Sequence, residues 1–476
     1  MASYCRSFAL LVCALIIPAS MVWAQITEGD FQSSRLKTHF RESGNPQGQV
    51  ALFIHGNLVS SVFWTAIMER MPPQYHCFAV DLRGFGDSET KPVDATRGVR
   101  DWSDDVFAFL AEQSLVGSGK KVHMAGWSMG GLIAMQYAVD HSETLLSLML
   151  VDPISPYGFL ATKDAAGTPN YADFAGSGSG TTNPEFLQRI ASRDTTTDSP
   201  FSPLNIMRNF FFKPPFIAPN ERELLAGILK SAVGDDNFPG DVVPSANWPF
   251  VAPGVRGTQN AFSPKYANTS SLINIPNKFP ILWVRGAKDQ VISDSSFFDL
   301  GHLVTIGALD PAFLALWPGK AVFPAQPMDT QTRSVLNQYQ ANGGSYTEVE
   351  IADAGHTPIV EKPDEVMIHY SQLLQSTTSV AASASENLST DFRLEANYPN
   401  PFNPGTKIEF EVARASHVHV EIFNLLGEKI KTLVSEALKP GKYAASFDGT
   451  GLAGGVYLYR LEAGNFSTAR KMLLLK

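Results

Sequence analysis

The stretch VHMAGWSMGGLIAMQYAV, residues 122–139, contains the pattern that decides the fold. Its first four residues fit a short buried strand, and Leu132 to Val139 fit a buried helix. Between them, Gly126-Trp127-Ser128-Met129-Gly130 matches G-x-S-x-G, in which a serine occupies a sharp turn from strand to helix. The flanking glycines remove Cβ atoms that would collide with the strand and the helix, so the serine can adopt a strained backbone. We therefore predict that Ser128 is a nucleophile.

Short apolar runs recur on both sides of this stretch and alternate with amphipathic segments. The alternation predicts an α/β fold, in which helices cover a mostly parallel sheet. Ligands bind beyond the carboxyl ends of the strands in such sheets, so we expect the chemistry in the turns that follow them. The predicted strands are Val50–Ile54, Phe78–Val80, Val122–Ala125, Leu146–Val151 and Ile281–Val284.

The alternation is interrupted between about residues 153 and 278. Helices are predicted there over Phe186–Ile190 and Glu221–Val233, and aromatic residues concentrate in residues 210–216. Loops of this length in compact domains are usually functional, which favours a helical cap over the site rather than a surface decoration.

Two changes of composition divide the carboxyl-terminal part of the chain. Residues 376–391 are small and polar, which is typical of a linker. From residue 392 to 476 apolar residues alternate with polar ones, as in Ile408, Phe410 and Val412, and turns are rich in Gly, Pro and Asn. This pattern predicts a small all-β sandwich, preceded by an α/β domain over residues 25–375.

The amino terminus has the order of a secretory signal peptide. Arg6 precedes the apolar run Phe8–Ile17, and the segment closes with Val22-Trp23-Ala24, so we predict cleavage after residue 24. The run is too short for a membrane span, which needs roughly 20 apolar residues. Removal of residues 1–24 leaves Cys77 as the last cysteine, so the mature chain can form no internal disulfide.

Charge and spacing exclude several classes of partner. The formal net charge is -9 and no Lys/Arg-rich run is present, so binding to nucleic acid is not expected. No Cys/His cluster has the spacing of metal ligands, and we predict neither a metal nor another cofactor.

The motifs and their order resemble the α/β-hydrolase superfamily over about residues 35–375. The resemblance implies an α/β-hydrolase sandwich with an inserted helical cap, followed here by the small all-β sandwich domain. It also implies a nucleophile at Ser128, an acid at Asp289 and a base at His356, in the chain order that this fold uses. The motifs are His55-Gly56-Asn57, Asp81-Leu82-Arg83-Gly84-Phe85-Gly86-Asp87-Ser88, Gly126-Trp127-Ser128-Met129-Gly130-Gly131, Gly286-Ala287-Lys288-Asp289 and Ala354-Gly355-His356.

These residue types fit nucleophilic catalysis. A serine hydroxyl needs an imidazole to take its proton, and a carboxylate holds that imidazole in the productive tautomer. The backbone N–H groups of Asn57 and Met129 are the predicted oxyanion hole. Asp152, which follows the preceding strand, is the alternative acid. The 67 residues between Asp289 and His356 are a long separation for the family.

The expected activity is that of an extracellular hydrolase. A serine at the turn from strand to helix argues against epoxide hydrolases and haloalkane dehalogenases, which need a carboxylate nucleophile. We predict hydrolysis of a small-molecule carboxylic ester or lactone through an acyl-enzyme. The alternatives are a C–C bond hydrolase with the same triad and a non-catalytic binding protein on a hydrolase scaffold.

The carboxyl-terminal region resembles the C-terminal sorting domains of type IX secretion cargo. The resemblance implies that the type IX machinery is a partner and that the protein reaches the outer cell surface or is secreted, after periplasmic transit. The alternative is a binding module that stays attached. The motifs are Tyr398-Pro399-Asn400-Pro401-Phe402-Asn403-Pro404, Asn424-Leu425-Leu426-Gly427, Gly454-Gly455-Val456-Tyr457 and Lys471-Met472-Leu473-Leu474-Leu475-Lys476.

Overall fold

The computed structural model describes residues 25–384, 392–425, 427–439, 441–464 and 466–475. The predicted signal peptide, residues 1–24, lies outside the described residues, and so do residues 385–391 of the predicted linker. The contacts divide the chain into two compact units, with the division after Thr378.

Eight strands of the first unit form one mixed sheet. Its spatial order is β1-β2-β4-β3-β5-β6-β7-β8. The first two strands pair antiparallel, β2 pairs antiparallel with β4, and every pair from β4 to β8 is parallel. The strands are β1 (Thr27–Gln32), β2 (Lys37–Gly44), β3 (Gln49–Ile54), β4 (Tyr75–Val80), β5 (Val122–Trp127), β6 (Leu145–Val151), β7 (Pro280–Gly286) and β8 (Ser345–Ile351).

Both faces of this sheet are buried. Along β3, Leu52 and Ile54 belong to one apolar cluster, whereas Ala51 and Phe53 belong to the other. Burial on both faces explains why the central strands read as continuous apolar runs instead of alternating ones. The predicted α/β class is confirmed, and the five predicted strands all lie in this sheet.

Helices cover the two faces and form most of the connections. No helix within the described residues combines the length and the apolar character that are needed to cross a membrane. The α-helices are α1 (Thr65–Met68), α2 (Arg100–Glu112), α3 (Met129–His141), α4 (Pro184–Ala191), α5 (Pro203–Ile206), α6 (Glu221–Ile228), α7 (Thr258–Ala261), α8 (Leu300–Thr305), α9 (Pro311–Leu314), α10 (Met328–Ala341), α11 (Pro358–Glu361) and α12 (Pro363–Ala384).

The segment predicted as a cap contains α4 to α7, a π-helical turn at Met207–Phe211 and short strands. The helix predicted over Glu221–Val233 ends earlier, at Ile228. The reason is tertiary: the N–H of Ala232 donates to the carbonyl of Gly84 instead of continuing the helix, and Val233–Gly234 is a short strand.

A second insertion, which the sequence pattern did not reveal, separates β7 from α10. Residues 290–327 form an irregular segment that carries α8 and α9. Buried side chains of this segment, such as Val304 and Phe323, pack with Trp248 and Ala161 of the cap in a small apolar cluster of their own. The insertion accounts for the long separation between Asp289 and His356.

The first part of the predicted linker is helical. Helix α12 continues from Pro363 to Ala384, through residues 376–384 of the segment that was predicted as linker. The small residues there include Ala381, Ala382 and Ala384, and alanine is the strongest helix former.

The second unit consists of antiparallel sheets. Strands β9-β10-β13 form one sheet, and β12-β11-β14-β15 form the other. The alternating residues Ile408, Phe410 and Val412 point into one apolar core, as predicted for an all-β unit. The strands are β9 (Arg393–Leu394), β10 (Gly405–Val412), β11 (Ser416–Phe423), β12 (Lys429–Leu438), β13 (Gly441–Asp448), β14 (Gly455–Ala463) and β15 (Phe466–Leu474).

Candidate active site

Ser128 lies at a strained turn between β5 and α3. Its φ of 56° and ψ of -120° are a conformation that non-glycine residues rarely adopt. The neighbouring backbone leaves no room for larger residues, because a Cβ on Gly126 would lie 2.2 Å from the carbonyl oxygen of Gly130. A Cβ on Gly130 would in turn lie 2.3 Å from the carbonyl oxygen of Ile54. The glycines of the motif are therefore required by backbone approach, as the sequence predicted.

Hydrogen bonds hold the backbone of this turn on both sides. The N–H of Ser128 donates to Val151 at 2.9 Å, and the carbonyl of Ser128 accepts from Ile154 at 3.1 Å. Helix α3 begins at Met129, directly after the serine, and the N–H groups of Gly131 and Leu132 donate to the carbonyl of Ser128 at 2.9 and 3.4 Å.

His356 and Asp289 are brought together from the ends of two neighbouring strands. Asp289 follows β7 and His356 follows β8, and Nδ1 of His356 lies 2.8 Å from Oδ2 of Asp289. Both side chains are almost fully buried. The other Asp289 oxygen, Oδ1, accepts from the N–H groups of Val291 at 2.6 Å and Ile292 at 3.0 Å. These two donors fix the carboxylate so that Oδ2 faces the imidazole.

Asp152 is a second buried carboxyl group at the same place. It accepts at Oδ1 from the N–H of Gly286 at 3.0 Å, and its Oδ2 has no donor among the described residues. Side-chain atoms of Asp152, Asp289 and His356 all lie within 4.8 Å of one another. Burial, and after it the charge of Asp289, raise the pKa of Asp152 well above its ordinary value. The environment of Asp152 therefore favours the protonated form of this carboxyl group.

His55 braces the loop that carries Asn57. Its Nε2 accepts from the N–H of Leu82 at 2.9 Å, so the ring proton is on Nδ1 and is donated to the carbonyl of Gly56 at 2.7 Å. Complete burial lowers the pKa of His55, which keeps the ring neutral. With a hydrogen bond at each ring nitrogen, the imidazole holds the Gly56–Asn57 turn next to the turn at Ser128, where a Cβ on Gly56 would lie 3.1 Å from Cβ of Ser128.

A cavity of about 310 Å³ opens onto these groups. Ser128, His356 and Asn57 lie in its wall, with no hydrogen bond between Ser128 and His356 among the described contacts. The rest of the wall is mostly apolar and comes from the cap and from the second insertion. The cap supplies Leu160, Phe186, Phe201, Phe210, Phe211, Phe238 and Phe262, and the second insertion supplies Val291, Ile292, Phe297, Phe298, Leu300 and Leu303.

Two residues outside the predicted set hold the histidine loop. Nε1 of Trp127, the residue before the serine, donates to the carbonyl of His356 at 2.6 Å. Glu361, five residues after His356, accepts from the N–H of Gly355 at 2.8 Å. The sequence carries no signal for either contact beyond closeness along the chain to a predicted site residue, because both depend on how separate loops fold together.

A family model described as the alpha/beta hydrolase family matches residues 51–367, which is two thirds of the chain. The chain belongs to the alpha/beta hydrolase family. In this chain the turn at Ser128 follows β5, and the carboxyl group of Asp289 and the imidazole of His356 follow β7 and β8, so all three lie at the carboxyl ends of strands of one sheet.

Curated relatives of this alpha/beta hydrolase match over a short part of the chain. The pimeloyl-[acyl-carrier protein] methyl ester esterase of Aeromonas salmonicida is 35% identical over 105 residues, which are 22% of this chain and 38% of that protein. Lipase 1 of Psychrobacter immobilis is 33% identical over 118 residues, 24% of this chain and 35% of that protein. The chain thus spans less than half the length of the curated relatives that it matches.

Solved structures similar to this hydrolase include a carboxylesterase, CesB, from Bacillus subtilis. It is 12% identical, with a TM-score of 0.46 and coverage of 74% of this chain and 92% of that chain. An enol-lactonase from Burkholderia xenovorans is 14% identical, with a TM-score of 0.44 and coverage of 73% and 100%.

The second unit matches a different family model. Residues 396–475 match the secretion system C-terminal sorting domain. The chain therefore carries a type IX sorting domain, which indicates a destination outside the cell or on its outer surface.

Proposed function

We propose that this protein is a serine esterase that cleaves neutral carboxylic esters or lactones through an acyl-enzyme on Ser128. The observation that carries the proposal is the 2.8 Å contact between Nδ1 of His356 and Oδ2 of Asp289, beside a cavity that Ser128 also lines. Curated relatives named as an esterase and a lipase support the same reaction class.

Acylation starts with attack of Oγ of Ser128 on the carbonyl carbon of the ester. Nε2 of His356 takes the hydroxyl proton, and the imidazolium that forms is stabilised by the carboxylate of Asp289. The C–O bond to the alcohol then breaks, and His356 gives its proton to the departing alkoxide. The products of this half-reaction are an alcohol and an ester between Ser128 and the acid; with a lactone, the alcohol stays on the acyl chain.

Deacylation repeats these steps with water. His356 takes a proton from water, hydroxide adds to the acyl carbon, and Ser128 leaves with the proton that the imidazole returns. In both halves the negative charge on the carbonyl oxygen needs N–H donors, and we assign those of Met129 and Asn57 to it. Each donor of this kind is worth about 2.7–4 kcal/mol in other hydrolases.

Asp289 is the acid of this proposal, and Asp152 supports it. The contact with Nδ1 of His356 belongs to Asp289, whereas Asp152 accepts from Gly286. The raised pKa of Asp152 favours its protonated form, in which Oδ2, which has no other partner among the described residues, is a donor for the neighbouring carboxylate. Such a bond orients Asp289 and leaves one negative charge, not two, to face the imidazolium.

The cavity wall favours neutral substrates with an apolar group. Among the residues described as lining it, none is Lys, Arg, Asp or Glu, and aromatic rings such as Phe211, Phe238 and Phe262 dominate. A charged acyl or alcohol group would lose its hydration there without gaining a partner. The volume of about 310 Å³ is at the lower end of the range of small-molecule sites.

The test is hydrolysis of p-nitrophenyl acetate, butyrate and octanoate and of a δ-lactone by the full chain and by Ser128→Ala. We expect the variant to lose at least about 10³-fold in kcat, because no other nucleophile replaces the hydroxyl. Ser192→Ala, at an exposed position at the end of α4, is the matched control and should keep wild-type rates. Full activity of Ser128→Ala would overturn the proposal, and a folded wild type that cleaves no substrate would favour a binding protein.

We further propose that residues 1–24 direct passage to the periplasm before the sorting domain directs export. The sorting-domain match and the order of charge, apolar run and Val22-Trp23-Ala24 support this sequence of events. Mass spectrometry of secreted protein should find an amino terminus at Gln25. An amino terminus at Met1 would contradict the first step, and an intact Lys476 would show that the sorting domain is retained.

A further inference from the structure

Glu361 joins two parts of the site that are far apart along the chain. Its Oε1 accepts from the N–H of Gly355, the residue before His356, at 2.8 Å. Its Oε2 accepts from the N–H of Lys213 at 2.7 Å. Lys213 follows Phe210 and Phe211 of the cap, and both of these rings line the cavity. One carboxylate therefore holds the main chain of the histidine loop and the main chain of the cap wall.

The two backbones meet closely where the carboxylate holds them. A Cβ on Gly355 would lie 2.6 Å from the nitrogen of Lys213 and 2.8 Å from the carbonyl carbon of Phe212. The glycine is thus required by this approach. On the near side of the loop, the ring of Phe211 lies 6.4 Å from that of His356, so a shift of the cap segment changes the surroundings of the base directly.

The carboxylate is buried without an ion-pair partner among the described residues. Glu361 is only 7% exposed, and its described partners are backbone N–H groups. Burial raises the pKa of Glu361, while the N–H donors of Lys213, Gly355 and Thr357 oppose that rise. Burial of such a group is costly unless hydrogen bonds compensate for it, and here the carboxyl group accepts from N–H donors on both loops at once.

We propose that Glu361 is a positioning residue that sets the placement of His356 and the aromatic cap wall together. Glutamine cannot replace it, because an amide has one acceptor oxygen and its NH₂ group would face an N–H donor. The loss of either bond then releases one loop from the other. This inference rests on the proposed esterase function, since it assigns Glu361 a role that acts through His356 and the cavity wall.

The test compares Glu361→Gln with Asp353→Asn, using p-nitrophenyl acetate and octanoate. Asp353 is a matched control because it also contacts Lys213, but at the side-chain Nζ instead of the backbone N–H, with Nζ 2.5 Å from Oδ1 of Asp353. The side chain of Asp353 is 62% exposed. We expect Glu361→Gln to lower kcat for acetate at least about tenfold through the base, and to lower the octanoate-to-acetate ratio of kcat/KM at least about fivefold through the wall. Asp353→Asn should change neither quantity more than about twofold.

A folded Glu361→Gln enzyme in which only one of the two quantities falls, or neither, overturns the proposal, and so does an equal loss in Asp353→Asn. Amide hydrogen exchange of the wild-type chain tests the same bridge without activity. The amides of Gly355 and Lys213 should both be strongly protected, and exchange of either one at the rate of an open loop overturns the proposal even if Glu361→Gln does not fold. A wild-type chain that cleaves no ester would contradict the proposed function. The exchange result would still show whether Glu361 joins the two loops.

Discussion

Replacement of Asp289 by asparagine should abolish most of the activity and leave the fold intact. Asparagine keeps an oxygen that can accept from Val291 and Ile292, so the turn after β7 should persist. What changes is the group that faces Nδ1 of His356 at 2.8 Å. An amide that donates to Nδ1 forces the ring proton onto Nε2. With a proton already bound, Nε2 can no longer accept the proton of Ser128.

The expected size of the loss follows from the burial of this pair. The side chains of His356 and Asp289 are 3% and 2% exposed, so water cannot replace the missing partner. A hydrogen bond to a charged group is worth about 1.5–3 kcal/mol, and the wrong tautomer adds to that loss. The same change in a serine protease lowers kcat about 10⁴-fold, which corresponds to about 5.4 kcal/mol. We expect a loss of about 10³- to 10⁴-fold here.

The assay is steady-state hydrolysis of p-nitrophenyl butyrate, with Asp152→Asn as the matched variant. Asparagine at position 152 can still accept from the N–H of Gly286, and its NH₂ group can donate toward Asp289, which is the role proposed for the protonated acid. We expect Asp152→Asn to stay within about threefold of wild type. A larger loss in Asp152→Asn than in Asp289→Asn would reverse the assignment of the acid, and a loss below about tenfold in Asp289→Asn would refute the reasoning.

Three further predictions concern the pocket, the turn and the surrounding charges. Leu303→Trp fills part of the cavity, so kcat/KM for the octanoate ester should fall about tenfold while that for acetate stays within about twofold. Gly126→Ala should lower the free energy of unfolding by more than about 3 kcal/mol, as measured by urea unfolding, because its Cβ would lie 2.2 Å from the carbonyl oxygen of Gly130. Gly405→Ala, where a Cβ meets nothing within 4 Å, is the control. Burial, followed by the nearby acids, raises the pKa of Asp329 to about 7. Between about pH 4 and 7 the native state therefore keeps a proton on Asp329 that the unfolded chain has released. The free energy of unfolding falls as the pH rises through this range. Asp329→Asn should therefore add about 1–2 kcal/mol at pH 8 and almost nothing at pH 4, as measured by urea unfolding, after allowance for the partial exposure of this group; a gain at pH 4 as large as at pH 8 would contradict it.

The parts of the fold that the sequence predicted are those in which neighbours along the chain determine the structure. The turn at Ser128 requires glycine at 126 because a Cβ there would meet the carbonyl oxygen of Gly130, in the helix that directly follows. The alternation of Ile408, Phe410 and Val412 likewise reports one buried face of one strand. Such local patterns carry their own geometry, so they can be interpreted without knowledge of the rest of the chain.

The parts that escaped prediction depend on contacts between distant segments. Residues 290–327 lack a clear period, and they become a wall of the cavity only because they pack on the cap. Helix α6 ends at Ile228 because Ala232 finds a partner in the loop at Gly84, almost 150 residues away. From the sequence, Glu361 is only an acid near the end of a short helix. Its role depends on the N–H of Lys213 in the cap, which donates to its Oε2 in the folded chain.

Labelling with a fluorophosphonate probe, followed by intact-mass and peptide analysis, tests most directly whether Ser128 is the activated nucleophile. The wild-type chain should gain one adduct, on the peptide that contains Gly126-Trp127-Ser128-Met129-Gly130, and Ser128→Ala should gain none. An adduct at another residue, or an unlabelled wild type that still hydrolyses esters, would contradict the account.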